Sequence, residues 1–142
     1  MATGSDNVAN LVVNSSGTWI GSTSTGWDDD SNWCGGVPVS GTNVIIPFGT
    51  DYSPTVNITN ALCNNLTINS GATLTINAGN ALTIAGTLTN SAGASGLILE
   101  SNATKTASLI CNTSDIVPAT FNRYISGSSE SWHFLSSPEA VQ

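Results

Sequence analysis

The densest cluster of reactive side chains in this sequence is the run Asp28-Asp29-Asp30. Hard cations such as calcium take several oxygen ligands, and clustered carboxylates can supply them. The run therefore makes a candidate calcium site, although the spaced Asp-x-Asp-x-Asp-Gly loop is missing and consecutive side chains diverge. No other cofactor is expected. Trp27 and Trp33 flank the acidic run. Exposed tryptophans are rigid amphipathic platforms, so these two form a candidate glycan-binding pair; the competing reading is that they cover the end of the fold. Three cysteines, Cys34, Cys63 and Cys111, lie too far apart for a metal motif. One pair and a spare is the simplest arithmetic. Cys34–Cys63 is the expected bridge, which would belong to an oxidising compartment.

Catalysis finds little support. Acid–base cleavage of sugars needs two carboxylates roughly 5–10 Å apart, and Asp51, Glu100 and Asp115 show no partner pattern. His133 has no nucleophile motif beside it, and packing against Trp132 accounts for it. The chain is read as a non-enzyme.

The background to these residues is unusual. Ser, Thr, Asn and Gly make up nearly half of the 142 residues, while Lys105 and Arg123 are the only basic side chains against nine acids. A net charge of -7 leaves nothing from which to build a phosphate-binding patch, so nucleic acid is excluded as a partner. No apolar run reaches the ~18 residues that a membrane helix needs, and membrane insertion is not expected. The start, Met1 to Asp6, lacks the basic and apolar parts of a secretory leader, so the natural protein is expected to continue upstream.

Apolar and polar residues alternate in Leu66-Thr67-Ile68, Leu74-Thr75-Ile76 and Leu82-Thr83-Ile84. Period two marks strands with one buried face. Asn69-Ser70-Gly71 and Asn77-Ala78-Gly79 punctuate them, and Asn and Gly tolerate the left-handed conformation of a tight corner. A longer period overlies this one. Val44, Leu66, Leu88 and Ile110 are 22 residues apart, as are Ile46 and Ile68, and Leu62 and Ile84. Leu74 and Leu97 are 23 apart, as are Ile76 and Leu99. Three short strands and three corners fill one such period. The expected fold is all-β: a short right-handed parallel β-solenoid of about 22 residues per coil and roughly three to four coils. A β-sandwich is the alternative. Cys111 falls in the outward register of this column, either as a lone thiol or paired with another chain.

Residues 1–40 read as a leader and cap, because Trp19, Trp27 and Trp33 suit the covering of an exposed terminal coil. Residues 41–117 read as the solenoid. Residues 118–142, with Phe121, Tyr124, Trp132 and Phe134, read as a far cap or the start of another domain.

The string Trp27-x5-Trp33, Gly36, Val37-Pro38 and Val44-Ile45-Ile46-Pro47 resembles the opening segment of secreted surface proteins from Bacteroidetes-type bacteria and is similar to that of autotransporter passenger β-helices. The Leu-Thr-Ile-Asn-x-Gly units look like the body of the same modules. Arg123-Tyr124-Ile125-Ser126-Gly127 and Trp132-His133-Phe134-Leu135-Ser136-Ser137-Pro138 resemble a segment that follows such repeats in large adhesin-like proteins. The resemblance implies type IX export, a cell-surface location, and a structural or adhesive module without catalytic residues. Its expected partners are neighbouring domains of the same polypeptide, and glycans or other surface proteins. The alternative function is a carbohydrate-binding module built on the cap aromatics.

Overall fold

The computed structural model of the chain describes residues 14–113 and 116–127. Ten short strands follow one another with corners between them: β1 (Val44–Ile46), β2 (Thr55–Val56), β3 (Ala61–Cys63), β4 (Leu66–Ile68), β5 (Leu74–Ile76), β6 (Ala81–Ile84), β7 (Leu88–Asn90), β8 (Leu97–Glu100), β9 (Ser108–Cys111) and β10 (Thr120–Asn122). No strand pairs with its sequence neighbour. β1, β4 and β7 form one sheet, β2, β5, β8 and β10 a second, and β3, β6 and β9 a third. Every pairing is parallel. The chain is therefore a β-solenoid of about four turns with three walls, and the sandwich alternative is excluded.

The walls form because alternate strand positions are apolar, most plainly in Leu66-Thr67-Ile68, Leu74-Thr75-Ile76 and Leu82-Thr83-Ile84, where two apolar side chains flank a threonine. The flanking pair turns inward and stacks on its equivalents above and below. Val44, Leu66 and Leu88 line up, as do Leu74 with Leu97 and Ile76 with Leu99. All seven are buried, while the central Thr67, Thr75 and Thr83 are only partly covered. At about 25 cal/mol per Å² of apolar surface, each buried Leu or Ile contributes roughly 1.5–3 kcal/mol. Corners break the strands where expected. Gly71 and Gly79 adopt φ of 80° and 84°, and the carbonyls of Asn69 and Asn77 accept from the amides of Ala72 and Asn80.

The register departs from the 22-residue period in the third wall. Ile110, expected inward above Leu88, lies in β9 beside Thr83 and is 49% exposed. The cause is an insertion at one corner. Ile76 and Leu82 span the second coil's corner, whereas the third coil must run from Leu99 to Leu109. The extra residues make a small hairpin closed by an antiparallel bridge between Ser101 and Thr106. Asn102 Oδ1 holds its tip by accepting from the amides of Thr104 and Lys105. Leu62 likewise pairs with Thr83 rather than Ile84 and points outward; Cys63 pairs with Ile84. Cys111, read as outward, pairs with Ile84 and packs against the core.

The N-terminal segment is a distorted coil of its own. Thr18 bridges Ile45 and Gly26 bridges Thr55, both in parallel, so the segment continues two walls upward. Trp19 and Trp27 are wholly buried and Trp33 nearly so. Trp33 meets both other rings edge to face, with centroids 4.9 and 4.7 Å away. This is a favoured aromatic geometry. The indole N–H groups of Trp19 and Trp33 donate to the carbonyls of Tyr52 and Trp27 at 2.6 and 2.7 Å. The Trp27 Nε1 is left without a hydrogen-bond acceptor.

Candidate functional site

The acidic run begins at the cap. Asp29 sits at the N-cap of a 3₁₀ turn, Asp30–Asn32, and its Oδ1 accepts from the Ser31 amide at 3.1 Å. A 3₁₀ turn advances three residues per revolution, which sends consecutive side chains in different directions. Asp28 Oδ1 accepts from Asn57 Nδ2 at 2.7 Å. Asp29 Oδ2 accepts from the Ser24 hydroxyl at 2.9 Å. Asp30 Oδ1 accepts from the Val37 amide at 3.3 Å. The three carboxylates thus tie three different segments together and do not converge, which corrects the calcium expectation. Among the described residues, no three His, Cys, Asp or Glu side chains come together as a metal centre would need.

The tryptophan pair is corrected too. Trp27 and Trp33 have 0% and 4% of their surface exposed and offer no face to a sugar. Their neighbour Asn32, which no motif singled out, is fully buried and holds the cap closed. Its Oδ1 accepts from the amides of Thr23 and Ser24, and its Nδ2 donates to Ser24 Oγ and the Gly26 carbonyl. All four bonds lie between 2.9 and 3.1 Å. A buried amide with its valences filled is a structural staple.

No bridge joins Cys34 to Cys63; both are thiols. Cys34 Sγ donates to the Asn14 carbonyl at 3.1 Å, outside the coil stack. Cys63 faces inward from β3 and is buried. Burial, with a smaller push from Cys111, drives the Cys63 thiol up to about 12. A thiol held protonated is a poor nucleophile. Of the carboxylates considered for catalysis, Asp51 lies on the corner between β1 and β2, and Glu100 ends β8. Asp115, Trp132 and His133 lie outside the described residues.

A groove lies beside the last described strand. β8 and β10 run side by side, pairing Phe121 with Leu99 and Asn122 with Glu100. The Ser101–Thr106 hairpin rises alongside. Between them lies a half-open cleft of about 140 Å³, with Leu99, Ala107 and Phe121 as its apolar surface and Glu100, Asn122 and Arg123 on its rim. Ser101 Oγ donates to the Asn122 carbonyl at 2.7 Å and accepts from the Tyr124 amide. Asn122 Nδ2 donates to Glu100 Oε1 at 2.8 Å. The rim is thereby held in place by its own bonds. The sequence carries one signal of it: Arg123, the chain's single arginine, stands between Asn122 and Tyr124 with Phe121 close by.

One family model, described as a domain of unknown function (DUF8693), matches residues 18–140. No curated protein and no solved structure matches the chain.

Proposed function

The chain belongs to the DUF8693 family, and within that family we propose that it serves as a non-catalytic structural and adhesion module of a secreted bacterial cell-surface protein. The observation that carries this reading is the set of parallel strands stacked in register along three walls. Each coil rests only on its neighbours, so the stack is stiff along its axis and asks little of the sequence beyond the inward columns. Neutral hydroxyls and amides on the outer faces suit solvent without a strong field. The resemblance to secreted surface proteins supports the location. The partners are the neighbouring domains of the same polypeptide.

The test uses cells of the source bacterium carrying the parent protein with or without this module. Antibody labelling of unpermeabilised cells reads display, and attachment under flow reads adhesion. The expected result is surface label and weakened attachment when the module is deleted. Label confined to permeabilised cells, or unchanged attachment, contradicts the reading.

A further inference from the structure

We infer that the cleft between β10 and the Ser101–Thr106 hairpin binds one ring of a neutral saccharide; the inference rests on the adhesion reading and gives it a ligand class. Phe121 continues the inward column above Leu99 and is 51% exposed. An exposed aromatic face at the side of a concave site is a platform for the C–H face of a pyranose, amphipathic in the same sense. Around it stand a carboxylate (Glu100), an amide (Asn122) and a guanidinium (Arg123). These planar groups offer paired acceptors and donors of the kind that adjacent hydroxyls require. Ser101 and Thr106 add hydroxyls to the lining.

Charge and size narrow the ligand. The single negative charge of Glu100 and the single positive charge of Arg123 balance, which favours a neutral sugar over a uronic or sulfated one. At about 140 Å³ the cleft is smaller than the roughly 300–1,000 Å³ of sites for drug-sized ligands. It fits one ring at the end of a glycan and lacks the deep apolar pocket that anchors a peptide side chain. The hydrogen bonds from Ser101 to Asn122, and from Asn122 to Glu100, fix the rim in advance, so little ordering is left to binding.

The purified chain is applied to an array of neutral glucose, galactose, mannose and N-acetylglucosamine oligomers, beside charged glycans and a peptide set. Any bound neutral sugar is then titrated by calorimetry. One neutral class should bind, with Kd in the roughly micromolar-to-millimolar range of single-ring sites. Arg123→Gln should weaken it at least about tenfold, a change of ~1.4 kcal/mol, without moving the melting temperature; Asn122→Ala should weaken it as much, its lost bond to Glu100 lowering the melting temperature only slightly. Phe121→Tyr should keep binding and Phe121→Ala lose it. No neutral sugar bound, binding untouched by Arg123→Gln and Asn122→Ala, or preference for charged glycans or peptides would each overturn the inference. A module that is displayed and supports attachment yet binds no neutral sugar loses only this inference. One that is not displayed loses the adhesion reading, whatever the array shows.

Discussion

The two ends of the solenoid solve the same problem in opposite ways. At the near end three tryptophans close the core, and buried Asn32 ties four backbone and side-chain groups beneath them. At the last described strand the inward column Val56, Ile76, Leu99 reaches Phe121, which together with Tyr124 and Ile125 is exposed. A coil stack always has two unsatisfied ends, because each coil covers only its neighbours. Closing one takes residues that break the repeat: large rings, a polar staple and a 3₁₀ turn. The repeat instead goes on from β8 to β10, the last described strand. Among the described residues, three buried tryptophans close one end of the column, while Phe121 in the last described strand stays half exposed.

Mutations can break this contrast, and the largest effect lies between the ends. Leu66→Asp puts an unpaired charge into the middle of a column. It should cost about 5 kcal/mol or more and abolish the cooperative melt, while Thr67→Asp on the outer face should cost within about 1 kcal/mol; calorimetry of both variants checks the register. At the sealed end, Trp33→Ala should cost about 3–5 kcal/mol in denaturant unfolding, since it removes a ring packed on two others. A loss under about 1 kcal/mol would mean that the cap is dispensable. Asn32→Ala should cost about 1–3 kcal/mol by stranding its partners, and Asn32→Asp should not restore it, because a carboxylate cannot donate to the Gly26 carbonyl.

Within the third wall, the contrast can be sharpened by pH. The unfolded Cys63 thiol titrates near 9.0, and the folded one, raised by burial and then by Cys111, near about 12. Above pH 9 the unfolded state releases its proton first, so stability falls as pH rises and is unaffected below. At pH 10 the wild type should lose about 1.4 kcal/mol relative to Cys63→Ala, each compared with its value at pH 8. Parallel pH profiles would place Cys63 outside the core. At the open end, Phe121→Ala should cost only about 1 kcal/mol, because half of the ring is already in solvent. A cost near that of Trp33→Ala would show that the far end is sealed as well.

The walls were legible because their signal is local and repeated. Leu66-Thr67-Ile68 and its copies specify strand and facing, and Gly71 and Gly79 specify corners. The third wall was misread because an insertion at a corner leaves the alternation inside β9 intact while shifting its partners. Ser108-Leu109-Ile110-Cys111 reads equally well in either register until the Ser101–Thr106 hairpin is known. The sequence left Trp27 and Trp33 open to two readings, cover or platform, because burial depends on Thr18 and Gly26 pairing with β1 and β2, long-range bridges that no local pattern announces. Asn32 and the rim of Glu100, Asn122 and Arg123 were hidden for the same reason. Their roles come from residues brought together by the winding.

The winding itself is tested most directly by interstrand nuclear Overhauser contacts in isotopically labelled protein. The account predicts contacts from Val44 to Leu66 and from Leu66 to Leu88, with Ile46 to Ile68 beside them, so that both residue numbers rise together along every pair of neighbouring strands. Contacts in which one number rises as the other falls, linking β4 to β5 or β5 to β6, would contradict it.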